Sequence, residues 1–167
     1  RTILLGGDAS GVRKSVDGGV TWSTSNTGLT NLTVQALAFD ASGVATVYAA
    51  TAGGLFRSDD AGCTWRNLAP GLVSAVAADP NRSGVVYAAV YMNWANGSIR
   101  KSTDGGVTWA TVFPTTAAIL NITIDPGNSD VLYLPTVGHG AFKSTDAGQN
   151  WSAMSALTPA AIWTFAL

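Results

Sequence analysis

The sequence predicts an all-β fold, a β-propeller of four-stranded antiparallel blades, from three observations. A motif of the form S-x-D-x-G-x-T-W occurs at 15–22, 58–65, 102–109 and 144–151, with Asn150 replacing Thr in the last copy. The motif tryptophans are 43, 44 and 42 residues apart, a spacing typical of propeller blades. The chain has no Glu and only three Lys among its 167 residues, so helix-favouring surface residues are scarce.

Each repeat divides into four short strands, named A to D in chain order. Strand A is expected at 34–39, 73–78, 119–124 and 162–167, where apolar residues on both faces indicate a buried inner strand. Strand B is centred on Leu4, Tyr48, Tyr87 and Tyr133. Strand C is expected at 12–14, 55–57, 99–101 and 141–143, and strand D begins at each motif tryptophan.

These strands predict a single propeller domain or a portion of one. Its repeat units are 1–33 completed by the C-terminal strand 162–167, then 34–72, 73–118 and 119–161. Strand 162–167 can pair within its own chain and close a four-bladed ring. It can also pair with a second chain, so that a homo-oligomer completes a larger ring, and a slice of a longer propeller is the third alternative.

The motif residues have a structural explanation. An Asp carboxylate can accept hydrogen bonds from turn N–H groups, and glycine supplies the positive φ of a tight turn. The tryptophan buries a large ring and can donate its N–H. We therefore interpret the motif residues as turn-stabilising rather than metal-binding or catalytic: Ser15, Asp17, Gly19, Trp22, Ser58, Asp60, Gly62, Trp65, Ser102, Asp104, Gly106, Trp109, Ser144, Asp146, Gly148 and Trp151.

The four motifs resemble the Asp-box, also called the BNR repeat. Families with this repeat include sialidases, sortilin-type receptors, a photosystem assembly factor and xyloglucan-cleaving glycoside hydrolases. Segment 137–146, and segment 73–80 continuing through 86–90 to 97–104, are most similar to blades of the last family. Sialidases use an arginine triad and a Tyr/Glu pair, and a chain without Glu does not fit that pattern.

The distribution of Asp argues against a complete hydrolase site. In a propeller the A–B and C–D turns lie on one face, the back, and the B–C and D–A loops lie on the other, the front. Of the ten Asp residues only Asp8 is expected on the front, whereas glycoside hydrolysis needs two carboxylates. The xyloglucan-cleaving enzymes set two propellers face to face, each giving one Asp, so the resemblance makes Asp8 a candidate half-site. The alternative is a turn residue beside Gly6, Gly7 and Gly11.

One predicted front loop departs from the repeat. The spacing from the strand B tyrosine to the motif serine is 10 and 11 residues in two units but 15 in the third, where residues 91–96 are inserted. Aromatic rings beside amides suit sugar recognition, so exposed side chains are expected here. The candidate ligand-binding residues are Tyr91, Asn93 and Trp94, with His139 in the corresponding loop of the next blade. The alternatives are a tryptophan that caps the blade and a histidine that serves only the turn.

Composition narrows the functional classes. The net charge of −1 provides no basic field for nucleic acid, and no apolar run reaches the length of a membrane span. The single cysteine, Cys63, cannot form an internal disulfide or a cysteine metal cluster, and we expect no metal or cofactor. The sequence favours a non-catalytic, secreted or extracellular module that binds carbohydrate or a protein surface. The alternatives are a non-catalytic or half-catalytic part of a larger glycoside hydrolase, and a ligand-free structural or engineered scaffold.

Overall fold

The computed structural model describes residues 1–43, 45–93, 96–154, 162 and 164, and these form four antiparallel sheets in chain order. Each sheet is one blade, and consecutive strands pair within it. Blade 1 has three described strands and the others have four: β1 (Ile3–Gly7), β2 (Gly11–Ser15), β3 (Ser23–Thr24); β4 (Val34–Phe39), β5 (Val47–Thr51), β6 (Gly54–Ser58), β7 (Arg66–Pro70); β8 (Leu72–Ala78), β9 (Val86–Asn93), β10 (Asn96–Ser102), β11 (Ala110–Thr115); β12 (Thr123–Asp125), β13 (Asn128–Thr136), β14 (Gly140–Ser144), β15 (Ser152–Ala153).

The predicted all-β propeller architecture is confirmed. Strand β4 has the expected bounds, and β8 begins one residue earlier than expected. Each outer strand begins one residue after its motif tryptophan, because the tryptophan still belongs to the turn. Three of these rings donate Nε1–H to the carbonyl of their own motif glycine, at 3.0–3.1 Å, namely those of Trp22, Trp109 and Trp151. In the described part of the chain no helix is long and apolar enough to span a membrane.

The hydrophobic core lies in the seams between neighbouring blades. Successive strand residues point to opposite faces of a sheet, so Val47 and Ala49 pack toward blade 1 while Tyr48 and Ala50 pack toward blade 3. A third cluster, which includes Tyr87 and Leu132, fills the seam between blades 3 and 4. An inner strand therefore has to be apolar on both faces, which explains the two-sided pattern in the sequence.

The fourth inner strand is shorter than expected. Residues 119–124 were predicted to be extended throughout, but β12 covers Thr123–Asp125, and Ile119 makes an isolated bridge with Thr136. The side chain of Asn121 accepts the N–H of Ile122 at 2.8 Å, which takes that donor out of the sheet ladder.

The predicted strand 162–167 falls largely outside the described residues. Of the two that are described, Ile162 donates its N–H to the carbonyl of Thr136 (3.3 Å), and Thr164 Oγ1 accepts from Asn121 Nδ2 (3.0 Å). Both contacts are made to blade 4. The division into repeat units and the closure of the ring stay predictions.

Candidate functional site

The four Asp-box turns on the back share one hydrogen-bond pattern, seen here in blade 3. The carboxylate of Asp104 accepts the N–H of Val107 (3.0 Å), the N–H of Thr108 (2.9 Å) and the hydroxyl of Thr108 (2.5 Å). The hydroxyl of Ser102 donates to the same carboxylate (2.7 Å) and accepts the N–H of Gly106 (2.8 Å). Equivalent bonds surround the other motif carboxylates, with Asn150 Nδ2 replacing the threonine hydroxyl in the last copy: Asp17, Asp60 and Asp146.

These bonds hold the pKa of the motif carboxyl groups below the usual range. The hydroxyl and then the N–H of Thr64 contribute most to lowering the pKa of Asp60 to about 2, against the opposing effect of burial. The N–H and side-chain amide of Asn150 lower the pKa of Asp146 to about 2. The pKa values of Asp17 and Asp104 are lowered in the same way, first by their threonine hydroxyls. All four groups are therefore carboxylates committed to their turns at neutral pH.

The A–B turns on the back connect neighbouring blades through two further carboxylates. Asp40 of blade 2 accepts the hydroxyl of Ser83 (2.7 Å) and the N–H of Gly84 (2.8 Å) from blade 3. Burial raises the pKa of Asp40, but these bonds and the N–H of Ser42 outweigh it and lower the pKa overall.

Asp79 makes the equivalent connection from blade 3 to blade 4. Its fully buried carboxylate accepts the hydroxyl of Ser129 (2.5 Å) and Nε–H of Arg82 (2.6 Å). Arg82 then reaches Asp130 through Nη1 at 2.9 Å. Burial raises the pKa of Asp79, and the bonds from Ser129, Asn81 and Arg82 outweigh this effect and lower the pKa overall.

The described residues contain no group of three or more His, Cys, Asp or Glu side chains that could hold a metal ion. The back face is built for structural support.

The front carries an open groove of about 460 Å³ between blades 3 and 4. One wall is the end of β11 and the residue that follows it, and the other is blade 4 around the β13–β14 turn. The lining residues are Gly97, Phe113, Pro114, Thr115, Thr116, His139 and Phe142. No lining side chain other than His139 can carry a charge, so the groove suits a neutral ligand with apolar faces and hydroxyl groups.

The aromatic wall of this groove is held rigidly from below. The rings of Phe113 and Phe142 meet across the seam with centroids 4.9 Å apart, and Phe113 also contacts Trp151 at 5.5 Å. Both phenylalanines are half-buried, so each ring keeps an accessible part. His139 is exposed at the rim, with Nδ1 3.4 Å from the carbonyl oxygen of Val137. Ring packing fixes the phenylalanines, while the imidazole is positioned mainly by its turn.

Tyr91 is buried, at 7% exposure, and the expectation that its side chain is exposed is wrong. The inserted residues lengthen the β9–β10 hairpin, so Tyr91 stays on the strand face that also carries Tyr87 and Ala89 and points into the seam. Its hydroxyl hydrogen-bonds to the backbone N–H and carbonyl of Ile119. The Tyr91 ring lies directly beneath Gly97, where a Cβ atom would come within 3.0 Å of the ring, so Tyr91 supports the groove floor.

The structure describes some of the other candidate residues in full, others in part, and one not at all. Asn93 ends β9, next to the hairpin tip, and Trp94 lies outside the described residues. Asp8 is exposed in the turn between β1 and β2, where it accepts the hydroxyl of Thr33 at 3.0 Å. Among the candidates whose side chains the structure describes, His139 lines the groove. Phe113 and Phe142 were missed because they belong to regular strand positions, and only the juxtaposition of two blades brings them together.

Three comparisons relate the chain to known proteins. It is 36% identical to a xyloglucanase of Hypocrea jecorina over 116 residues, which are 60% of this chain and 13% of that enzyme. It is 32% identical to a xyloglucanase of Paenibacillus over 157 residues, 79% of this chain and 15% of the enzyme. An ancestral GH74 enzyme of known structure superposes with a TM-score of 0.83 and 22% identity, covering 95% of this chain and 23% of the enzyme.

These comparisons agree with the sequence resemblance. No family model matches the chain. The structural similarity, at 22% identity, shows the fold, and the chain spans about one seventh of the length of the curated relatives it matches. The protein is a β-propeller chain that resembles the blades of xyloglucan-cleaving glycoside hydrolases.

Proposed function

We propose that this chain is an extracellular carbohydrate-binding propeller whose ligand lies in the front groove between blades 3 and 4. The observation that supports the proposal best is the uncharged, aromatic-walled groove beside His139. The similarity to xyloglucanases supports the choice of ligand, a β-glucan chain such as xyloglucan. A polysaccharide of this kind is met outside cells, which supports an extracellular location.

The chemistry of the groove matches a pyranose ring. The apolar face of a sugar can stack on the accessible parts of Phe113 and Pro114, because both present flat or rigid apolar surfaces. Thr115 Oγ1 accepts the N–H of Ala117 at 2.9 Å, which leaves its hydroxyl proton free to donate to a sugar oxygen. His139 at the rim can donate or accept one more bond. Asn93 and Trp94, singled out by the sequence, remain proposed ligand contacts.

A titration of the 167-residue chain with xyloglucan oligosaccharides tests the proposal. Binding is expected by isothermal titration calorimetry, and His139→Ala should weaken it about five- to tenfold through loss of one hydrogen bond. Phe113→Ala should weaken it more, with circular dichroism to verify the fold. Val107→Ala, at a back-face position 72% exposed, is the matched control and should bind normally. Absence of binding, or unchanged affinity in both groove variants, would contradict the proposal and favour the ligand-free scaffold.

A second candidate function is part of a larger glycoside hydrolase. This candidate is supported by the small part of the related enzymes that the chain covers. It is also supported by the exposed carboxylate of Asp8, which has one hydroxyl partner. In that case Asp8 would supply one of two carboxylates and another part of the protein the second. An Asp8→Asn change in the longest available form of the protein would then abolish xyloglucan hydrolysis without changing oligosaccharide affinity. Unchanged hydrolysis would remove Asp8 from catalysis.

A further inference from the structure

A second, smaller cavity lies on the front next to the groove. It has a volume of about 60 Å³ and lies between the start of β8 in blade 3 and the residues that lead into β12 in blade 4. We name it the inner pocket, and its described lining residues are Leu72, Ser74, Tyr91, Ala118 and Leu120. All of them except Tyr91 are half-buried, so each of these keeps an accessible part. The inner pocket is therefore a cavity of the surface rather than a void in the core.

The polar groups of the inner pocket already have partners. Among its described lining residues only Ser74 and Tyr91 have polar side chains, and both hydroxyls hydrogen-bond to the backbone of Ile119. Ser74 Oγ donates to the Ile119 carbonyl at 2.6 Å, and the Tyr91 hydroxyl contacts both the N–H and the carbonyl. The remaining surface of the pocket is apolar. A polar group placed there would lose water without gaining a partner, so the pocket favours an apolar group.

The inner pocket and the groove share a wall. The Tyr91 ring lines the pocket, and it also lies beneath Gly97 of the groove, where a Cβ atom would come within 3.0 Å of the ring. Thr116 lines the groove and Ala118 lines the pocket, so along the chain their Cα atoms are at most about 7 Å apart. A short substituent on a ring in the groove can therefore reach the inner pocket.

The turn between the two cavities is held in place by both blades. The N–H of Ala117 donates to Thr115 Oγ1 at 2.9 Å. The N–H of Val137, in blade 4, donates to the carbonyl of Ala118 at 3.0 Å. Ile119, the next residue, is held by the two hydroxyl groups of blade 3. The inner pocket is thus formed before a ligand arrives, and binding there does not have to order the turn.

We infer that the inner pocket binds the acetyl group of an O-acetylated sugar whose ring lies in the groove. This inference rests on the proposed function. At about 15 Å³ for a water-sized group, the pocket has room for roughly three or four non-hydrogen atoms. An acetyl group is of this size, whereas a methyl group would leave most of the pocket empty and a sugar ring is too large.

The shape of an acetyl ester also fits the position of the pocket. The ester reaches further from its ring than a methyl substituent does, and the turn between the cavities requires that reach. Its methyl group packs against Leu72 and Leu120, the two largest apolar side chains of the described lining. Its carbonyl oxygen stays at the mouth of the pocket, where water supplies the hydrogen bonds that the lining does not.

Two xyloglucan oligosaccharides that differ only in acetylation test this inference. Mild alkali removes the ester groups from one portion of an acetylated oligosaccharide, and both forms are titrated into the 167-residue chain by isothermal titration calorimetry. The acetylated form is expected to bind about three- to tenfold more tightly, the gain from burying one small apolar group. Ala118→Leu fills the pocket and should make the two affinities equal.

Two further variants separate the pocket from its surroundings. Leu72→Ala removes one apolar wall and should lower the gain from acetylation about two- to threefold, so the test does not depend on Ala118→Leu alone. Ala110→Leu makes the same substitution at the exposed start of β11, outside the pocket, and should keep the full gain. Circular dichroism verifies the fold of each variant.

The possible outcomes distinguish this inference from the proposed function. Equal affinities of the unmodified chain for the two forms would overturn the inference and leave the proposed function standing. A gain that survives Ala118→Leu, or tighter binding of the deacetylated form, would do the same. Absence of binding for both forms would contradict the proposed function, and the inference would fall with it.

Discussion

Carboxylates on the two faces of these blades have different surroundings. On the back, Asp79 is fully buried and bonded to Ser129 and Arg82, and the motif aspartates each accept bonds from their own turn. On the front, Asp8 is exposed and accepts one hydroxyl, and the groove beside His139 is lined by aromatic and small polar side chains. Back carboxylates fix the chain, while front side chains are left accessible.

This difference separates residues that maintain the fold from those free to contact a ligand. A back-face bond satisfies backbone N–H groups that would otherwise lack partners, so its loss destabilises the blade. A front-face side chain beyond the ends of the strands can change with little effect on packing.

Asp79→Ala should lower the free energy of unfolding by about 2–4 kcal/mol, since it leaves the hydroxyl of Ser129 and the guanidinium of Arg82 without their buried acceptor. Chemical denaturation measures this change. Asp125→Ala is the matched control at the same repeat position in blade 4. The Asp125 carboxylate accepts the N–H of Gly127 at 2.8 Å and is partly exposed, so its loss should cost less than about 1 kcal/mol. Equal losses would show that Asp79 does not connect the blades.

Acidification should destabilise the protein through the same back-face groups. The pKa values of Asp60 and Asp146 are lowered to about 2, and those of Asp40 and Asp79 are also lowered. An unfolded Asp titrates near 3.9, so the stabilisation is fully present above about pH 4 and is lost as the pH falls toward the folded values. Thermal unfolding should be unchanged between pH 7 and about pH 5, and its midpoint should fall steeply below about pH 4. A midpoint that falls mainly between pH 7 and pH 5 would implicate other groups.

Front-face substitutions should have the smallest effect on stability. His139→Ala removes an exposed side chain with one long polar contact, and Asp8→Ala removes an exposed side chain with one hydrogen bond. Each substitution should therefore change the free energy of unfolding by less than about 0.5 kcal/mol. Chemical denaturation of both variants, measured in parallel with Asp79→Ala, provides the comparison. A loss above about 1 kcal/mol in either variant would show that the front residue has a structural role.

Blade architecture could be predicted from the sequence because it is set by local, repeated chemistry. The motif fixes the C–D turn, and the apolar pattern fixes the inner strand, so the bounds of β4 follow directly. Repetition then provides the register of the other blades. The interruption at Asn121 was not foreseen, because a side chain that captures its neighbouring N–H leaves no mark in the apolar pattern.

The groove was only partly predictable. His139 was singled out because it lies in the front loop that corresponds to the insertion, one blade further along the chain. Phe113 and Phe142 lie at ordinary strand positions and gave no such signal, since their proximity depends on how two blades pack. Tyr91 was assigned to a loop because insertion length alone does not tell a longer hairpin from a longer loop. The position of this groove is therefore set by packing between two blades, and not by the sequence pattern within one blade.

Amide chemical-shift mapping with a xyloglucan oligosaccharide tests the separation of the two faces most directly. The perturbed signals are expected to be those of the groove, at Gly97, Thr115, Thr116 and His139. The motif glycine amides, bonded to their serine hydroxyls on the back, should keep their positions: Gly19, Gly62, Gly106 and Gly148. Perturbations centred on the motif glycines, or none at saturating oligosaccharide, would contradict the assignment of binding to the front and support to the back.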